Sequence, residues 1–159
     1  MISQCLVLAV SAAFLSGCGW RDQLRSASPK GDAVIAVQTK QSGLADLAVR
    51  VVVRNGSEEH VVFRSENDWG PVKWEVAWSD DGENVGLFLC NPYQPLPVVF
   101  GINVHAKPPD QNDSARKRVI VNAQSHAERI TGTRLPASEL CAVFFDESSW
   151  RPRRPSTRR

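Results

Sequence analysis

The segment VKWEVAW, residues 72–78, alternates cleanly between apolar and charged positions. Val72, Trp74, Val76 and Trp78 point one way, and Lys73 and Glu75 the other. This period of two belongs to a β-strand with one buried face, and it restricts the fold more than any other feature. The pattern recurs along the chain. DAVIAVQTK (32–40) reads as a first strand and LADLAVRVVVRN (44–55) as a longer one, with Leu47, Val49, Val51 and Val53 opposite Arg50 and Arg54. Asn55-Gly56-Ser57 suits a tight reversal, since Asn and Gly tolerate positive φ, and HVVFRS (60–65) returns beside it. Ser79-Asp80-Asp81-Gly82 is a further turn before ENVGLFLC (83–90). NPYQPLP (91–97), with three prolines, reads as a stiff crossing between sheets. VVFGINVHA (98–106), KRVIVNA (117–123) and CAVFFD (141–146) complete the set. SHAERITGTRL (125–135) reads either as a bend with a short strand or as a helical turn.

About eight strands, with turns roughly every 8–12 residues and no clear amphipathic helix, predict an all-β fold. The expected form is an antiparallel β-sandwich of about 7–8 strands, which resembles the immunoglobulin-like domains, with a Greek-key connection through NPYQPLP. No internal repeat is visible. The length of 159 residues fits one domain with accessories, and 42% hydrophobic with 23% charged residues is an ordinary globular composition.

The amino terminus carries a different signal. LVLAVSAAFL, Leu6 to Leu15, is an uncharged apolar run. It is too short for a membrane-spanning helix, which needs roughly 20 such residues, and it has the length of a signal-peptide core. It ends in Leu15-Ser16-Gly17-Cys18. That tetrad resembles the lipobox of bacterial lipoproteins: an aliphatic residue, two small residues and cysteine. The resemblance implies a diacylglyceryl group on the Cys18 thiol, cleavage before Cys18, and acylation of the new amino terminus with a chain such as palmitate. Gly19 stands where such lipoproteins often carry an inner-membrane-retaining aspartate. The resemblance therefore implies the cell envelope, on the periplasmic face of an outer membrane. Several acyl chains at about 0.8 kcal/mol per buried CH₂ anchor stably.

The expected organisation is a signal peptide over 1–17, a lipidated, flexible tether over 18–31, the sandwich over 32–149 and a basic disordered tail over 150–159. With Cys5 cleaved away and Cys18 acylated, Cys90 and Cys141 remain. In an oxidising envelope these favour a disulfide, against two buried unpaired thiols. Neither has the close spacing of zinc ligands.

The basic character sits at one end. RPRRPSTRR, the last nine residues, holds Arg151, Arg153, Arg154, Arg158 and Arg159. Without them the chain has 14 basic against 17 acidic side chains, a net charge of −3. A nucleic-acid-binding domain is not expected from that balance. The tail reads as either a solvated extension or a contact for anionic headgroups, phosphorylated glycolipid or an acidic protein face.

Other candidates are weaker. Trp74 and Trp78 lie about 13 Å apart on one strand face and read as core, although a row of indoles could stack on sugars. Trp69, in Asn67-Asp68-Trp69-Gly70-Pro71, is the better exposed candidate. His60, His105 and His126 share no ligand spacing, so no metal or cofactor is expected. Ser114-Ala115-Arg116-Lys117 fits S-x-x-K only by its letters, read in a polar loop without partner motifs. Asp80-Asp81-Gly82-Glu83 is shorter than a calcium loop of about 12 residues. The expected function is thus a non-enzymatic interaction module anchored to the membrane by lipid. Its partner would be an envelope protein, met through the loops 66–71 and 106–116. The alternatives are an envelope glycan-binding module using Trp69, and a hydrolase without a recognisable motif.

Overall fold

The computed structural model describes residues 19–42 and 47–145, and the side chains of all of these except 66–68 and 95. Among the described residues, eight strands form two antiparallel sheets of four. The first sheet holds β1 (Arg21–Ala27), β2 (Ala33–Gln41), β3 (Leu47–Asn55) and β4 (Glu58–Trp69), in that order. The second holds β5 (Lys73–Trp78), β6 (Asn84–Asn91), β7 (Gln94–Asn103) and the short β8 (Asp110–Gln111), also in order. Two helices follow, α1 (Asp113–Thr131) and α2 (Leu140–Phe145), with a 3₁₀ turn at Ala137–Glu139 between them.

The β-sandwich core follows from the alternation. Ile35 and Val37 of β2 and Val49, Val51 and Val53 of β3 face Val85, Leu87 and Leu89 of β6 and Ile102 of β7, all in one buried cluster. Phe63 and Phe100 meet across the gap at 5.3 Å between ring centroids. Trp74 and Trp78 are half-buried against this cluster, as expected. The Trp78 indole also donates to Ser26 Oγ at 2.9 Å, fastening β5 to β1. On the outer face of the first sheet, Arg50 donates to Gln38 at 2.6 Å, and Gln38 to Asp22 at 2.5 Å. Arg54 pairs with Glu59 at 2.8 Å and with Asp22 at 3.5 Å. Long side chains of this kind cover apolar surface with their stems, and Ala36 and Val52 are fully buried.

The second sheet is covered on its other face too. Ala115, Val119, Ala123 and Ala127, spaced by four, form the buried stripe of α1. Asn112 caps the helix, its side chain accepting from the Ala115 N–H at 2.9 Å, and Gly132 ends it at φ 74°. Under the helix, Gly86 and Gly101 are cross-strand partners. A Cβ on Gly86 would lie 2.3 Å from the Ala115 carbonyl oxygen, and one on Gly101 would lie 1.9 Å from that of Asn112. The helix thus rests in a notch that only glycine leaves open. Cys90 of β6 and Cys141 of α2 form a disulfide, with Cα atoms 5.2 Å apart.

Several expectations are corrected. Residues 117–123 are helix, not strand: local β-branching at Val119-Ile120-Val121 is overridden by the small-residue stripe and the Asn112 cap. Residues 140–145 are likewise helix, held by Cys141 and by Leu140 and Phe144 packing near Phe88. Residues 125–135 hold the end of α1, so they take the helical alternative for most of their length. The tether expected over 18–31 contains β1, an edge strand paired with β2 from Arg21↔Thr39 to Ala27↔Val34. NPYQPLP does not cross between sheets: it turns the β6–β7 hairpin, with Asn91 opposite Gln94. Among the described residues the chain passes between the sheets at Gly70–Val72, so each sheet is a consecutive meander. Immunoglobulin sandwiches instead interleave strands from along the chain.

Candidate functional site

A groove of about 550 Å³ lies on one flank of the sandwich. It exists because β4 is the edge strand of the first sheet and β7 meets β8 only at Ile102 and Asn103. Two sheet margins therefore run side by side. Val62 and Phe100 form an apolar floor and pack on the core. The β4 register shifts near Val62, a bulge that bends the edge. Val61, half exposed at 50%, stands on the rim. His60 lines one side, and Asp110, Asp113 and Arg116 line the end nearest α1.

The end wall is built by the segment after β7. The Asn112 N–H donates to the Gly101 carbonyl at 2.8 Å, and Asn103 Oδ1 accepts from the His105 and Ala106 N–H groups. Lys107 Nζ meets Glu58 Oε1 at 3.0 Å, joining this segment to the start of β4. That bond holds the Glu58 carboxyl below the ordinary carboxylate range. The His105 imidazole lies 3.0 Å from Asn55 and 3.6 Å from Asp32. The Ser28 hydroxyl donates to Asp32 at 2.6 Å, the main cause of its lowered pKa. This sandwich end is thus tied by polar contacts between sheets.

These groups brace the sandwich end. Ser28 and Ser79 both donate to carboxylates, Asp32 and Asp81. His126 of α1 pairs with Glu75 of β5 and stacks edge-on to Phe144, bracing the helix to the sheet. Ser114 and Lys117 lie exposed in the first turns of α1, not in a loop. The Ser79–Gly82 turn is as expected, with Gly82 at φ 72°. Among the described residues, no group of three or more His, Cys, Asp or Glu side chains converges in a way that could hold a metal ion.

Trp69 is a correction. It ends β4 rather than standing in a turn, and it is only 2% exposed, edge-on to Phe63 at 5.7 Å. An indole so enclosed presents no face to a sugar ring. Cys18 and the arginines at 151, 153, 154, 158 and 159 lie outside the described residues. Of the two loops expected to carry contacts, 106–116 lends residues to the groove, whereas 66–71 is largely the end of β4. The groove itself escaped the sequence reading, because its two margins come from strands some 40 residues apart and no motif spans them. No protein-family model, curated protein or solved structure matches this chain.

Proposed function

We propose that this chain is a lipid-anchored protein of a bacterial envelope, held on the periplasmic face of an outer membrane through Cys18, and that its sandwich is a non-enzymatic interaction module. The observation that carries the reading is Leu15-Ser16-Gly17-Cys18 at the end of a short apolar run. The Cys90–Cys141 disulfide accords with an oxidising compartment. The flank groove supports an interaction role. Two adjacent strand margins with an apolar floor suit an extended segment of another envelope protein, taken up by backbone pairing along β4. The immunoglobulin-like comparison enters this reading only as architecture: two antiparallel sheets presenting margins and loops.

Two measurements test it. Mass analysis of the mature amino terminus is expected to give an acylated Cys18; a polypeptide beginning at Met1 rejects the anchor. A photo-crosslinker at Val61 is expected to capture an extended peptide segment in the native envelope. One at Val121, exposed on α1, is expected to capture none. Equal capture at both positions, or none at Val61, rejects the groove as the interaction surface.

A further inference from the structure

We infer that the end of the sandwich where β1 begins is a bilayer-contact surface, with Tyr93 and Leu96 entering the headgroup region. The inference rests on the lipidated Cys18 proposed above. β1 starts at Arg21, three residues after Cys18. At no more than about 3.6 Å per residue, Arg21 can stand only about 11 Å from an anchored Cys18. The headgroup layer on each side of the hydrocarbon is itself roughly 5–8 Å thick. A dozen-residue tether would let the domain tumble; three residues do not. The Trp20 ring is further held to the first sheet, with the Arg50 guanidinium 4.7 Å and that of Arg64 5.7 Å from its centroid.

The strand directions fix what shares this end. β2 finishes there at Gln41, β3 begins at Leu47, β4 finishes at Trp69, and β5 begins at Lys73. The β6–β7 hairpin turns there between Asn91 and Gln94, and a Cβ on Gly70 would meet the Tyr93 ring at 2.8 Å. Four large hydrophobic side chains are exposed among the described residues, and two of them are here: Tyr93 at 69% and Leu96 at 62%. A tyrosine, apolar in body and polar at its tip, suits the lipid–water interface. The other end instead carries the polar ties of Asp32, Asn55, His105 and Lys107.

The carboxyl side leads to the same place. Phe145, the last described residue, lines a hollow with Asn91, Pro92 and Gln94 of the hairpin. Arg151 follows six residues later. Five arginines thus follow in the sequence after a residue that lies at this end, and their charge suits anionic phosphates. Contact is thus made by two inserted side chains, Tyr93 and Leu96.

Nitroxide labels test this on the lipidated full chain in vesicles of phosphatidylethanolamine with phosphatidylglycerol. The mature chain's own cysteines are acylated at 18 or bonded at 90 and 141, so one introduced thiol carries the label. Labels on Tyr93→Cys and Leu96→Cys are expected to collide several-fold more with oxygen, relative to a water-soluble nickel quencher, than labels on Val61→Cys and Val121→Cys. Equal ratios at all four positions overturn the inference. Amino-terminal mass on the same preparation separates the failures. An acylated chain with water-like labels at 93 and 96 defeats this inference alone; a chain without acyl groups defeats it together with the anchor.

Discussion

The two faces of the second sheet are covered in opposite ways. Toward the first sheet, bulky residues such as Val85, Leu87 and Leu89 interlock with those of β2 and β3, and Phe63 meets Phe100. Toward the helices the contact is made from small parts: the Gly86–Gly101 notch beneath the Ala115–Val119–Ala123–Ala127 stripe. There the Cys90–Cys141 bond and the Phe88–Phe144 contact at 5.9 Å supply what bulk does not. The first layer is stabilised mainly by apolar area removed from water. The second is stabilised by close approach and a crosslink. Losses from the first should be global, and losses from the second should concentrate on the helices.

The largest expected effect is in the bulky layer. Leu87→Ala removes a fully buried side chain between the sheets and is expected to cost about 2–5 kcal/mol in urea unfolding. Exchange protection should fall in strands and helices alike. Next, Cys141→Ser is expected to cost about 2–4 kcal/mol. Its hydrogen exchange should rise first in α1 and α2 while β2, β3 and β6 stay protected; a uniform rise would show that the two layers are one cooperative unit. Gly101→Ala forces the helix start away from a backbone oxygen, at about 1–3 kcal/mol, and should raise exchange in the first turn of α1. Asn112→Ala removes the cap and should cost about 1 kcal/mol, with the same local signature.

The smallest effect is the pH dependence of the braced sandwich end. Asp32, Glu58 and Asp81 all have carboxyl groups held below their ordinary values, chiefly by Ser28, Lys107 and Ser79 respectively. A folded-state value below the unfolded one means that the folded state binds the proton later. The stabilisation is complete above the ordinary carboxylate range, near pH 4, and fades as pH falls through the lower folded values. Acid titration of Asp32→Asn should show a shallower decline below pH 4 than the parent chain. An identical slope would remove Asp32 from the account.

The strands of the bulky layer were legible because burial on one face imposes period two. Val49, Val51 and Val53 announce their face without help from the rest of the fold. The disulfide followed from cysteine arithmetic joined to compartment. The helical layer was obscured by Val119-Ile120-Val121, whose branching imitates a strand. Its true signals were a capping Asn112, small residues every four positions and Gly132. β1 was hidden because RDQLRSA is nearly all polar, as an exposed edge strand can be. Prolines at 95 and 97 misled for a related reason: they fall where the β6–β7 ladder is irregular, between the Asn91–Gln94 and Leu89–Val98 pairs. Trp69 was misplaced because turn-forming neighbours outweighed, on paper, a ring that the folded chain encloses.

The direction of β1 also determines how this domain bears mechanical load. A pull on the chain ahead of Arg21 acts along the strand axis, while the rungs joining β1 to β2 lie across it. Force entering from that side is shared by the whole ladder from Arg21 to Ala27, in shear, instead of peeling one rung at a time. β1 is therefore hard to strip by a tug from its own end.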